Sequence, residues 1–208
     1  MGTAKKEWIK ACLWAFIAGA LIIAPLDFYH TYVGTEKYLF DNMLTITSAN
    51  WPFYLPIQMG LIGVAVLIFW TLFRQYVIDP FWEKEIPAGP GSAVLIPAST
   101  FFIILGYIIG DVLTGNPYHA SVSMLLFMLS LIYVTLFHSK HQILIFVIVA
   151  LMGPFSEWVL LDPRIGYYEF VQKDFFGRAP FWLFFVYGWV GIFIHQLSRR
   201  LPRLDAKA

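Results

Sequence analysis

Six mainly apolar stretches, each about 17–25 residues long, limit what this chain can fold into. They run over 8–26, 52–74, 93–114, 119–137, 141–161 and 180–198. A stretch of that length crosses the hydrocarbon core of a bilayer as a helix, because a spanning backbone must satisfy its own N–H and C=O groups. Composition agrees. Of 208 residues, 59% are hydrophobic and 13% charged, with a mean hydropathy of +0.69. Soluble domains carry about a quarter charged residues. The expected fold class is all-α: a polytopic membrane protein built as a six-helix bundle.

The connections at 115–118 and 138–140 are short, so the third to fifth spans are expected to form tight antiparallel hairpins. Longer loops lie at 27–51, 75–92 and 162–179. The middle one, "QYVIDPFWEKEIPAGPGS", is rich in Pro and Gly and marks the midpoint of the chain. No internal repeat is evident. One domain over residues 1–208 is expected, since six spans do not divide into two independent cores. The first stretch follows Lys5, Lys6 and Lys10 in the order of a signal peptide, but it runs to Leu26 without a small-residue cleavage site. It is expected to be retained as the first helix.

Charge asymmetry predicts orientation. With six spans both termini share a side. That side carries ten basic residues: Lys5, Lys6, Lys10, Arg74, Lys84, Lys140, Arg199, Arg200, Arg203 and Lys207. The other side carries four: Lys37, Arg164, Lys173 and Arg178. Both termini are therefore placed in the cytoplasm. The net charge of +1 and the scattered basic residues argue against a nucleic-acid partner. The single cysteine, Cys12, excludes an internal disulfide and a cysteine-based metal cluster.

In this topology the ionisable residues at helix ends concentrate on the outer side. Asp27 and His30 end the first span, Asp111 ends the third, His119 opens the fourth, and Glu157 lies near the end of the fifth. Intramembrane ionisable side chains face the bundle or a wet cavity, since facing lipid is costly. Three roles stay open for Asp27, Asp111 and Glu157: surface hydration, structural hydrogen bonding, or direct chemistry. Asp162 and Glu169 are expected to be plain surface residues. Glu157 follows Pro154 by three residues, and a proline inside a helix removes a donor and opens space beside it. Glu157 is expected to face the interior and to meet Asp27, His30 or Asp111, directly or through a water.

Aromatic residues make up 19% of the chain. Trp51, Phe53, Tyr54 and Trp158 are expected at one membrane interface, Phe81 and Trp82 at the other. The last span, "APFWLFFVYGWVGIFIHQL", differs: Trp182, Phe185 and Trp189 recur at helical spacing while Gly188 and Gly191 thin another face. Core packing is the favoured reading, and lining of a lipid pocket the alternative. No catalytic motif stands out. "GTEKY", "GPGS" and "GDVLTG" lack a phosphate-cradling pattern, and Ser156 has no histidine partner in sequence. His138 and His141 beside Lys140 have no third ligand nearby, so neither a metal nor a cofactor is expected.

Two stretches carry a family resemblance. "PLDFYHTYVGTEKY", followed by "WPFYLP", presents Asp27, His30 and Gly34 after the first span. "GPFSEWVLLDPRIGYYEFVQKDFFGRAPFWLFFVYGWVGIFIHQLSRRL" presents Asp174 and Phe175, then Trp182 and Leu183, Gly188 and Gly191, and Arg199 and Arg200. Together they resemble the Insig family, the six-span proteins named for insulin-induced genes, and most closely its bacterial branch. The segment from Asp174 to Trp182 is one residue longer than the animal pattern. The resemblance implies a six-helix bundle with a central lipid-accessible cavity. Animal members bind oxysterols and retain partner proteins in the endoplasmic reticulum; bacterial members look like binders of diacylglycerol-type lipids.

The expected function is thus non-catalytic binding of a lipid, diacylglycerol- or sterol-like, between helices. Its expected contacts are Asp27, His30, Asp111, Glu157, Tyr168, Trp182, Phe185 and Trp189. One rival is a membrane isomerase or cyclase of sterols or isoprenoids. Glu157 and Asp111 would be its acid and base, and Trp182 and Trp189 would stabilise a carbocation. Another rival is a scaffold subunit without a ligand. A membrane-protein partner or a second copy of the chain is the further partner expected beside lipid. The expected location is the bacterial inner membrane, or the endoplasmic reticulum in a eukaryote. Topology is directly checkable. A fluorescent protein fused after Ala208 should light up in cells, and a reporter there that works only outside the cytoplasm should stay silent.

Overall fold

The computed structural model describes residues 3–39, 45–46, 51–80, 92–162, 168–199 and 201. An unbroken helical path opens the chain: α1 (Thr3–Ala18), a π-helical turn at Gly19–Ile23, and α2 (Ala24–Val33). The first span therefore extends past the expected Leu26, and Asp27 and His30 stand on a helix rather than in a loop. Pro25 is tolerated because it falls in the first turn of α2, directly after the widened π turn. Gly34 stops the helix with φ 81°, a left-handed conformation that suits a residue without Cβ.

The remaining elements follow the expected spans within a few residues. After β1 (Glu36–Tyr38), β2 (Thr45–Ile46) and β3 (Trp51–Pro52) come α3 (Leu55–Phe73), which ends in a second π-helical turn at Arg74–Ile78, and α4 (Ser92–Leu113). α5 (His119–Phe137), α6 (Lys140–Leu160), β4 (Tyr168–Phe170) and α7 (Trp182–Ser198) complete the chain. Ser139 caps α6 reciprocally with Gln142, a capping box. Among the described residues, five helices are long and apolar enough to cross a membrane. The sixth expected span, α7, has 17 residues, roughly 25 Å at helical rise. Phe81, Trp82, Lys84, Arg164, Tyr167, Arg200, Arg203 and Lys207 lie outside the described residues.

α7 is the centre of the bundle. Its sequence is apolar on every face, and such a helix must be buried all round. Fourteen of its residues are buried, against four on α5. It packs most extensively on α6 and α4, and also touches α1, α3 and α5. The expected hairpins are looser than the short connections suggest: α4 and α5 barely touch each other, because both lean on α7. Small residues let the helices close in. A Cβ on Gly188 would stand 2.5 Å from the Phe146 ring, and one on Gly110 would stand 2.7 Å from the Trp182 ring.

The bundle axis is accordingly filled by side chains. Trp182, Trp189, Phe146 and Ile192 are among the largest fully buried groups. A shallow concavity of about 460 Å³ lies elsewhere, on the outer face of α3 between Tyr54 and Ala65. Gly188→Val should lower the thermal stability of the detergent-extracted protein by about 1–3 kcal/mol, because the added methyls meet Phe146. Circular dichroism melting checks this; a melt unchanged from wild type would show that α6 and α7 are less tightly seated.

Candidate functional site

At the end of the bundle reached by the tips of α2, α4 and α6, polar side chains gather beneath a small β lid. The lid forms because two connections zip together. β1 pairs antiparallel with β4, with Glu36 opposite Phe170, Lys37 opposite Glu169 and Tyr38 opposite Tyr168. Strand alternation turns Glu36 and Tyr38 inward and Lys37 outward. On β4 it turns Tyr168 and Phe170 inward. Tyr38 packs on Tyr168 at 5.7 Å between ring centroids, and Phe170 lies edge-on to Trp182 at 6.1 Å.

Four carboxyl groups meet under this lid. Asp27 accepts hydrogen bonds at one oxygen from the Tyr38 hydroxyl and from the Trp51 indole N–H, each at 2.9 Å. Asp111 accepts from the Thr35 hydroxyl at 2.7 Å and lies 3.1 Å from His30 Nδ1. Glu157 accepts from the Tyr187 hydroxyl. Glu36, the fourth, is 4% exposed and within electrostatic reach of the other three. His30 is fully buried between aromatic faces, stacked on Trp182 at 5.0 Å and edge-on to Tyr107 at 4.9 Å. It is the only basic side chain in contact with the cluster among the described residues.

Several atoms of this cluster are left without a hydrogen-bond partner among the described residues. They are Asp111 Oδ2, Glu157 Oε2, the two ring nitrogens of His30 and the Trp182 indole N–H. The set mixes acceptors and donors, so a group that both donates and accepts would fit it. Burial, reinforced by the charges of Asp27, Glu157 and Asp111, pushes the Glu36 carboxyl well above its ordinary range. The Tyr38 hydroxyl is pushed up as well, first by burial and then by Glu36 and Asp27, so it remains a donor.

The expected site residues separate into two groups. Asp27, His30, Asp111, Glu157, Tyr168 and Trp182 come together at the lid end. Phe185 and Trp189 stand further along α7 in the aromatic core; Trp189 stacks on Phe102 at 4.3 Å and donates to the Ser130 hydroxyl. Glu157 faces inward, and its direct hydrogen-bond partner among the described residues is the Tyr187 hydroxyl. His119 stands apart from the four carboxyls and pairs with Asp174 at 2.7 Å. Asp174 also accepts the Phe181 backbone N–H, so it ties α5 to the start of α7. Trp51, expected as an interfacial anchor, is buried and bonded to Asp27. Asp162, expected at the surface, pairs with Arg178, whose guanidinium lies 4.7 Å over the Trp158 ring. Glu169 pairs with Lys173 on the exterior.

Thr35, Glu36, Tyr38, Tyr107 and Tyr187 were not singled out from sequence. Tyr107 had a signal, standing one turn before Asp111 on the same helix face. Glu36 and Tyr38 had a weaker one, the alternation of "TEKY" after a helix-ending glycine. At the opposite end, His195 accepts from the Trp70 indole at 3.3 Å, and Arg74 binds Asp79 and Ser198. Among the described residues, no group of three or more His, Cys, Asp or Glu side chains could hold a metal ion.

An apolar bundle wound around a central helix and closed at one end by a polar, lidded cluster is an integral membrane architecture. The fold is similar to that of the mycobacterial Insig homologue MvINS from Mycobacterium vanbaalenii, with a TM-score of 0.67 and 21% identity. The match covers 94% of this chain and 98% of that one. A cross-linked trimeric variant of MvINS matches with the same values. No protein-family model and no curated protein matches the chain. The chain is thus Insig-like in fold, as the two resembling stretches implied.

The raised affinity of Glu36 for its proton has a consequence for stability. The folded state holds a proton that the unfolded chain, with an ordinary glutamate near 4.5, releases. Its contribution is therefore complete below that value and is lost as pH rises through the raised one. The melting temperature in detergent should fall as pH rises above the ordinary glutamate value, and Glu36→Gln should make that slope shallower. A slope identical in the variant would remove Glu36 as its source.

Proposed function

We propose that this chain is a non-catalytic, Insig-like lipid-binding protein of one domain. In this reading it holds the hydroxyl end of a diacylglycerol- or sterol-like lipid at the lid-end cluster. The observation that supports the reading most is the unfilled hydrogen-bonding set, which includes two buried carboxylate oxygens, the His30 ring nitrogens and one indole N–H. A lipid hydroxyl donates to a carboxylate oxygen and accepts from the indole. Asp27, His30, Asp111, Glu157, Tyr168 and Trp182 form the headgroup end. Phe185 and Trp189 contribute to the apolar body of the bundle.

MvINS was crystallised as a cross-linked trimer, and a homo-oligomer is the partner arrangement we propose here beside lipid. The competing reading is acid catalysis on a sterol or isoprenoid, with Glu157 as the acid and Asp111 as the base. The contact of Glu157 with Tyr187 is compatible with it, since a carboxyl held by a phenol inside an aromatic shell is positioned to donate a proton.

Native mass spectrometry of gently extracted protein should find a retained neutral lipid. Glu157→Gln keeps size and much of the hydrogen bonding. Retention should therefore weaken by about 1 kcal/mol or less, within a factor of roughly five. Purified protein that converts a candidate sterol or isoprenoid, and loses that activity roughly a hundredfold in Glu157→Gln while still holding it, would favour the enzyme instead.

A further inference from the structure

The carboxyl cluster under the lid has more open acceptors than a lone hydroxyl can fill. Asp27, Asp111, Glu157 and Glu36 converge there from α2, α4, α6 and β1. The side chains that donate to them among the described residues are all neutral: the Tyr38, Thr35 and Tyr187 hydroxyls and the Trp51 indole. No Lys or Arg pairs with any of the four among the described residues. His30 is the basic ring beside them. Its Nδ1 stands 3.1 Å from Asp111 Oδ1, yet neither ring nitrogen has a hydrogen-bond partner. Acidic groups buried without a cation either take up protons or bind a positive charge from outside the chain. Glu36 takes the first course, pushed above its ordinary range by burial and by the other three acids. Asp111 Oδ2 and Glu157 Oε2 leave the second course open. Both are buried oxygens without a donor, and the Asp111 side chain is only 9% exposed.

We propose that this site takes a long-chain amino alcohol, with its ammonium on Asp111 and Glu157 and its hydroxyl on the Trp182 indole N–H. The inference rests on the lipid-binding reading above and adds a cationic ligand class to the same site. A hydroxyl has one proton to donate and no charge to offset four acidic groups. An ammonium has three N–H donors and a full positive charge, so it can serve both open oxygens, and its bonds to carboxylates are the stronger kind. The neighbouring hydroxyl accepts from Trp182, which is 2% exposed and whose indole N–H has no partner. Tyr107 and Phe170 pack against Trp182 at 5.3 and 6.1 Å between ring centroids, and aromatic faces in the same shell favour a cation further.

The test uses the full-length protein in detergent at neutral pH, stripped of lipid and exchanged into an equimolar mixture of sphinganine and its N-acetyl derivative. The derivative keeps the tail and both hydroxyls but carries no charge. Native mass spectrometry is the readout. Wild type should retain sphinganine over the derivative by roughly tenfold or more. N-methylsphinganine, bulkier than sphinganine but still charged, should also outcompete the derivative. Asp111→Asn, which keeps the shape of the side chain, should narrow the preference severalfold while the derivative stays bound. Glu157→Gln should narrow it too, and decides alone where Asp111→Asn does not fold. Glu169→Gln, on the exterior of the lid, should leave the preference unchanged. Equal retention of the two compounds by wild type would overturn the ammonium site and leave lipid binding standing. So would a preference unaltered in both cluster variants, one narrowed as much by Glu169→Gln, or N-methylsphinganine bound no better than the derivative. Retention of none of these compounds would overturn the ammonium site together with the reading it rests on.

Discussion

The structure depends on the burial of one helix. α7 carries Trp182, Phe184, Phe185, Trp189, Ile192 and Ile194 around its circumference, and no single face is polar enough to meet a headgroup layer or poor enough to be spared contact. Lipid would accept such a helix, but so would a ring of other helices, and the ring offers closer packing. In the absence of water between helices, association in a membrane is decided by how near the backbones can come. Glycines decide it here. Gly106 and Gly110 on α4 make room for Phe185, Val186 and Trp182, and Gly153 on α6 makes room for Tyr187. α4, α5 and α6 are consequently organised by α7 more than by one another.

The two ends of α7 are fixed by different chemistry. At its start, Asp174 accepts the Phe181 N–H and binds His119. At its end, Arg74 reaches the Ser198 hydroxyl and carbonyl, and the Gln75 amide reaches the Leu201 carbonyl. Trp70 and His195 add a hydrogen bond just inside. These contacts take up backbone groups that the last turns of a helix leave open. They also fix the height of α7, and with it the height of Trp182 relative to His30 and Asp111.

The lid end combines two requirements that oppose each other. Carboxyl groups in a bundle interior need donors, and the helices alone supply few. Thr35, Tyr38 and Trp51 supply them from the connection between α2 and α3, so the connection is held down by the residues it satisfies. A two-stranded pair of three residues is marginal by itself. It persists here because its inward side chains rest on the Asp27 carboxyl and the Trp182 ring. Polar satisfaction and lid closure are one arrangement seen from two sides.

Read alone, the sequence determined the membrane environment, the approximate limits of the helices and the concentration of acidic residues towards one end. The physical reason is that these follow from the length of apolar runs and the placement of charges, both of which are local properties of the chain. It also marked Asp27, His30, Asp111, Glu157 and Trp182, because an ionisable or large aromatic residue in an apolar run stands out against its surroundings. The tertiary structure alone decided that the last helix is the central one, since every apolar helix reads the same until its neighbours are known. It decided that Tyr187 hydrogen-bonds Glu157 directly, and that Trp51 serves Asp27 rather than an interface. It decided as well that Glu36 belongs to the cluster. That depended on the register of two strands separated by more than a hundred residues, and a pairing of two connections leaves almost no trace in either one.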